Sequence, residues 1–197
     1  MTSSEDPRLI ATRTAVLDAA LGILQDEGVL AVTHGAVSKV TGISRSTIYR
    51  HWADTNALRN DTFKRAAGPR RIAPKTNGPL HADLTWLLGA LVSVLNETPW
   101  GQVAPQVIAA AATDEEARAV INGLMKERKA IVEAVFAAAQ KRGELQSGAP
   151  VGYLAEMAIA VPYFRKLIAR LPLDHEWLES HVDLICQLAE PPVNCRV

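Results

Sequence analysis

Apolar side chains recur at intervals of three and four residues along almost the whole of this chain, and no sustained every-second-residue alternation replaces them. Val, Ile and Thr do not gather into short runs bounded by turn residues, so the pattern admits amphipathic helices and offers no strands. An all-α fold is expected. The first segment, about Arg8 to Glu27, sets the pattern: Val16, Ala19, Ala20, Ile23 and Leu24 make one buried stripe, and Gly28 ends it.

Two short helices are expected next. Thr33 caps one that runs to about Val40, with Ala36, Val37 and Val40 turned inward, and Ser44 caps another that runs to about His51. Gly42 permits the sharp turn between them. Asp54 caps a fourth helix, through Leu58, Phe63 and Ala66 to about Ala67. Three prolines and two glycines then crowd residues 68–79, which read as a linker between a head, residues 1–67, and a body, residues 80–197. The body divides into helices over about Leu80–Glu97, stopped by Pro99, then Gln102–Ala112, a long one from Asp114–Glu116 to Arg142, Val151–Arg170 and Asp174–Ala189. The carboxylates of Asp114, Glu115 and Glu116 suit a helix N-terminus because they face the positive end of its dipole. About nine helices result.

With 197 residues the chain can bury a sizeable core, yet no unbroken apolar run reaches the roughly 18 residues of a membrane span. The opening MTSSEDPR lacks the apolar centre of a signal peptide, and Cys186 and Cys195 are too few for a disulfide framework, so a soluble, cytoplasmic protein is expected. The formal net charge of zero conceals an asymmetry. From Val29 to Arg71, Lys39, Arg45, Arg50, Arg59, Lys64, Arg65, Arg70 and Arg71 face only Asp54 and Asp61. From Ile72 onward, 14 acidic residues outnumber 11 basic ones. A basic head on a mildly acidic body is the distribution expected where one end meets phosphate.

The head holds the most informative segment, THGAVSKVTGISRSTIYRHW at Thr33–Trp52. It reads as a helix, a tight turn at Thr41–Ile43 and a second helix, with Ile43 and Ile48 packing inward to fix their angle. In a helix-turn-helix, the N-terminal part of the second helix enters the major groove and the first helix crosses the backbone. Arg45 and Arg50 can pair with guanine or phosphate, Ser46 and Thr47 can reach a base edge or a nearby phosphate, and the Thr47 methyl can meet a thymine methyl. Tyr49 and His51 suit phosphates at the groove edge, while Lys39 and Thr33 on the first helix are further phosphate candidates. Ser44, at the mouth of the second helix, completes the DNA-binding set.

The run from Arg13 to Leu58 resembles the DNA-binding head of the TetR family of repressors. The likeness rests on Leu17–Ala20 (LDAA), Leu24, Gly28, Thr33, GISRSTIYRHW at Gly42–Trp52, and Leu58. It implies a three-helix head, a fourth helix leading to an all-helical body, and a homodimer on a palindromic double-stranded operator; a small-molecule effector of the body is a further expected partner. It also assigns DNA contact to Arg45, Ser46, Thr47, Tyr49, Arg50 and His51. One position departs: Thr55 stands where the family commonly has a phosphate-binding lysine, and Arg59 or Lys64 would have to replace that contact.

Further on, Ala160–Asp174 (AVPYFRKLIARLPLD) with the later EPP resembles the C-terminal body of a TetR subgroup, in which the last two long helices pair with their copies. Taken alone, the stripe of Trp177, Leu178, Val182, Ile185 and Leu188 must face either the body or a second subunit. With the resemblance, Phe164, Leu167, Trp177, Leu178, His181, Val182 and Ile185 become the candidate dimer interface. A partner also suits the function, because two heads about 34–36 Å apart read successive turns of the duplex.

Candidates for lining an effector cavity are Trp86, Leu87, Trp100, Met125, Phe136, Tyr153, Met157 and Phe164. Their apolar character points to an uncharged or amphipathic organic effector. Five scattered histidines lack metal-site spacing, so neither metal nor cofactor is expected. The absence of a Gly-rich phosphate loop, a nucleophile elbow, HExxH and CxxC argues against an enzyme.

Overall fold

The computed structural model describes residues 7–68 and 73–189, and the regular structure among them is helical, without a strand. Four helices make the N-terminal part: α1 (Pro7–Glu27), α2 (His34–Thr41), α3 (Arg45–His51) and α4 (Thr55–Ala66), with a 3-10 turn at Val29–Ala31. Five follow: α5 (Leu80–Glu97), α6 (Pro99–Ala110), α7 (Glu115–Lys141), α8 (Val151–Tyr163) and α9 (His175–Ala189). Of the expected linker, residues 69–72 lie outside the described residues and 73–79 carry no helix. Arg70, Arg71, Cys195 and the EPP at Glu190–Pro192 also fall outside them.

Two boundaries differ from expectation, each because of a proline. Pro99 does not merely stop α5. Thr98 breaks the helix with an extended backbone, and Pro99 opens α6 at the first helical position, where its missing N–H costs nothing. The helix expected from Val151 to Arg170 gives way after Tyr163 to a π-helical turn at Phe164–Ile168. Pro162 lies just before the change and offers no N–H to the carbonyl of Ala158 four residues earlier.

Packing divides the chain into two units, Met1–Pro69 with Gln102–Asn122, and Arg70–Gly101 with Gly123–Val197. Polar side chains tie residues 102–122 to the first unit: Gln106 accepts from the Val29 N–H at 2.8 Å and donates to the Leu24 carbonyl at 3.3 Å. That carbonyl belongs to the last turn of α1, where helical partners run out. Asn60 of α4 donates to Glu116 of α7 at 2.7 Å, and Gln25 donates to Gln102 at 2.8 Å.

In the first unit, Val16, Ala20, Ile23 and Leu24 of α1 are buried together with Val37, Ile48, Leu58 and Phe63. Val40, expected inward, is 65% exposed. The inward face of α2 runs through His34, Val37 and half-buried Thr41, and Val40 falls about a quarter turn away from it. In the second unit, α9 packs on α5 and α8, burying Leu178, Val182, Ile185 and Cys186.

Candidate nucleic-acid interface

The turn that aims α3 is built from local hydrogen bonds. Thr33 Oγ1 accepts from the Ala36 N–H at 3.1 Å and caps α2, and Ser44 Oγ accepts from the Thr47 N–H at 3.2 Å and caps α3. Between them Gly42 adopts φ 73°, a left-handed conformation that favours glycine, and its N–H closes on the Ser38 carbonyl at 2.9 Å. Asp54 caps α4 by accepting from the Ala57 N–H at 2.8 Å. Ile48, wholly buried, fixes the inner face of α3, and Ile43 is half-buried.

The outer face carries the candidate readers. Lys39, Ser44, Arg45, Ser46, Tyr49 and Arg50 are exposed, and Thr33, Thr47 and His51 are half-buried. The Ser44 hydroxyl also lies 2.9 Å from those of Ser46 and Thr47, which links three short side chains at the start of α3. His51 departs from the expected phosphate contact as it stands. Its Nε2 is sealed from solvent without a hydrogen-bond partner and its ring sits 5.6 Å from that of Trp52, so such a contact requires the ring to swing out.

His34 is the positioning residue that the sequence reading passed over. Buried at the start of α2, it has Nε2 2.8 Å from the Trp52 carbonyl at the end of α3, and its ring stacks on Tyr49 with centroids 4.0 Å apart. With the proton on Nε2, the imidazole donates to that carbonyl and joins both helices. The stack holds the exposed Tyr49 ring in place. A polar residue on the same helical face as Val37 was the available signal. Thr55, at the position of the departure, has its hydroxyl 3.5 Å from His34 Nδ1, at the outer limit of a hydrogen bond.

Structure also sorts the cations of the basic head. Arg59 donates to the carbonyls of Val32 at 3.2 Å and Leu30 at 3.1 Å, and Lys64 pairs with Asp61 at 2.8 Å. Neither is free to replace the absent lysine. Arg65 pairs with Asp18 at 2.7 Å. Among the described residues of the basic stretch, Lys39, Arg45 and Arg50 are left without an ion pair or hydrogen bond from the side chain, and they belong to α2 and α3. The free positive charge is thus concentrated on the two helices of the motif.

Asp61 anchors this arrangement from behind. Its Oδ2 accepts from the Trp52 indole N–H and from Arg13, both at 3.0 Å, and Arg13 lies 5.1 Å over the Trp52 ring. Burial pushes the Asp61 carboxyl up, but Lys64, the Trp52 N–H and Arg13 outweigh it and hold the group below its ordinary value.

In the second unit the expected residues part company. Leu87 borders an apolar cavity of about 30 Å³, whereas Tyr153 and Phe164 are 63% and 57% exposed and do not line it. Trp100 and Phe136 are wholly buried, Met125 and Met157 half-buried, and Trp86 is half-buried under the Lys75 ammonium. None of these five borders the cavity. Most of the dimer candidates lie within their own chain. Leu178, His181, Val182 and Ile185 are buried against their own chain, Trp177 is half-buried beneath Arg165 and stacked on His181, and Leu167 is half-buried.

Pro162 explains His181. The Ala158 carbonyl that the proline leaves without its helical donor has His181 Nε2 at 3.3 Å, and burial pushes the imidazole below its ordinary value while this hydrogen bond works against that shift. The apolar side chains left outside are Val161, Phe164, Ile168 and Leu171 after mid-α8, and Leu184 and Leu188 on α9. Among the described residues no cluster of His, Cys, Asp and Glu could hold a metal ion, and no helix is long and apolar enough to cross a membrane.

Comparison with known proteins agrees with this geometry. Residues 16–62 match the family described as bacterial regulatory proteins, tetR family, and residues 74–185, more than half of the chain, match the tetracyclin repressor-like C-terminal domain. The chain is 25% identical to the HTH-type transcriptional regulator YdeS of Bacillus subtilis strain 168, over 82% of this chain and 81% of that one. It is 28% identical to an HTH-type transcriptional regulator of Mycobacterium bovis, over 86% and 83%. The crystal structure of the TetR family transcription regulator SCO0332 superposes with a TM-score of 0.66 at 28% identity, covering 91% of this chain and 98% of that one. The chain belongs to the TetR family of helix-turn-helix transcriptional regulators.

Proposed function

We propose that the protein is a repressor that binds a palindromic operator as a homodimer and is released from it by a small, mainly apolar ligand. The observation that carries this reading is the concentration of unpaired Lys39, Arg45 and Arg50 around the capped α2–turn–α3 motif, with Tyr49 held outward by its stack on His34. Cations there position the protein on phosphates, and the first residues of α3 are left to read base edges. The exposed apolar side chains of late α8, the segment after it and α9 support a second copy, because such a surface costs free energy in water until it is covered. Release needs only that the ligand prefer an arrangement whose heads are spaced wrongly for successive grooves.

Selection of bound fragments from a random duplex pool, with the purified full-length protein at moderate salt, tests the reading. A palindromic consensus is expected. Folded protein that enriches no sequence would turn the basic head into a protein-contact surface. Failure of every apolar compound tested to release the recovered operator would remove the ligand-responsive part.

A further inference from the structure

The long helix α7 places a charge where its pattern calls for an apolar residue. Leu124, Val132, Val135 and Phe136 are buried at helical spacing, and Arg128 lies in the same stripe. With Leu87, Leu88 and Leu91 of α5, Ile131 and Val132 of α7 and Ile159 of α8, Arg128 borders the 30 Å³ cavity, and it is the sole charged residue there among the described residues. Nη1 is sealed from solvent and has no hydrogen-bond partner. Glu127, the adjacent residue, favours the charged form, but burial prevails and brings the guanidinium down to about 10.

How the guanidinium is held bears on what it can bind. It lies 5.9 Å from the Trp100 ring and 5.3 Å from the Tyr163 ring, and the Trp100 indole N–H donates to the Tyr163 hydroxyl at 3.0 Å, joining the two. Ring faces attract the cation without engaging its N–H donors. An arginine that served only to join helices would spend those donors on carbonyls, as Arg59 does. Here the side chain is positioned while donor capacity remains, beside an apolar cavity.

We propose that Arg128 is the anion-binding residue of an effector site in the body, and that the effector is an amphipathic monocarboxylate whose apolar tail enters the space between α5, α7 and α8. The proposal rests on the ligand-responsive reading above and narrows its uncharged or amphipathic ligand to an acid. One guanidinium balances one charge, which favours a carboxylate over a phosphate dianion. The cavity has room for little more than a water or two, so the tail must part Leu87, Leu91 and Ile159, and that opening is the structural change the ligand stabilises.

Octanoate and 3-phenylpropionate, each beside its primary amide, test this on the full-length protein by calorimetry and by release of the selected operator. At least one acid is expected to bind tenfold or more tightly than its amide, and to release DNA at lower concentration. Arg128→Gln should reduce affinity for that acid at least tenfold and leave the amide unchanged. Arg128→Lys, which keeps the charge but loses the planar fork, should retain part of the preference. Equal binding of acid and amide, or an acid affinity that survives Arg128→Gln, overturns the carboxylate assignment while the apolar-ligand reading stands. If neither acids nor amides bind or release DNA, this proposal falls, and broader failure across apolar compounds removes the reading beneath it.

Discussion

Replacing Arg50 with alanine tests whether the unpaired cations are the ones that meet DNA. Of the six described basic residues between Val29 and Ala67, Arg59, Lys64 and Arg65 are engaged within the protein, which leaves Lys39, Arg45 and Arg50. Two heads would then neutralise about six phosphates, and the logarithm of affinity should fall against the logarithm of salt concentration with a slope of about −5.4. That corresponds to a loss of roughly a thousandfold or more between 50 and 200 mM salt. Arg50→Ala removes one contact per head and should bring the slope to about −3.6. Arg59→Ala supplies the contrast, since it breaks two bonds to backbone carbonyls and should lower stability by about 1–3 kcal/mol without changing the slope. Fluorescence anisotropy of a labelled operator across a potassium chloride series measures the slopes, and thermal melting measures stability. A wild-type slope near −10 would refute the reasoning, because it corresponds to about eleven neutralised phosphates where Lys39, Arg45 and Arg50 of two heads supply six.

Three further outcomes follow from named contacts. Arg45→Ala and Tyr49→Ala should abolish operator binding and leave the oligomeric state unchanged in sedimentation, because both side chains are exposed on α3. The Asp61 carboxyl titrates below its ordinary 3.8 in the folded protein, so its stabilisation is fully present above that value and is lost as pH falls through the folded pKa. Asp61→Asn should therefore melt lower than wild type at neutral pH, by about 1–3 kcal/mol of stability, and the gap should close in acid. Ile185→Asp should unfold the body by burying an unpaired carboxylate, whereas Ile168→Asp, at a position 72% exposed, should leave the monomer folded and weaken self-association. Circular dichroism and sedimentation separate those two results.

Helix order, the caps at Thr33, Ser44 and Asp54, and the turn at Gly42 were all legible in the sequence, because caps and left-handed glycines act over a few neighbouring residues. Long-range packing was not. Periodicity found the stripe on α9 but could not say whether it meets the body or a second subunit, and Leu178, Val182 and Ile185 pack inside their own chain. Residues 102–122 carried no compositional mark of their attachment to the first unit, which depends on Gln106 and Glu116 reaching distant segments. His181 became intelligible only once Pro162 was seen to strand the carbonyl it meets. Arg128 did leave a trace, a basic residue within an apolar stripe, but only its surroundings distinguish it from an arginine whose head reaches water.

The reading helix has seven residues. At about 1.5 Å per residue it extends roughly 10 Å, the length of about three base-pair steps. A three-letter word recurs by chance about once in 64 positions, while a bacterial chromosome offers on the order of a million or more competing sites. Two such words at fixed spacing recur about once in 4,000 positions, so even a pair of heads must draw further discrimination from the bendability of the sequence between and around them. On the proposed operator-binding reading, the brevity of α3 limits how much information one head could extract, and a second head would be a requirement of addressing before it is a source of affinity.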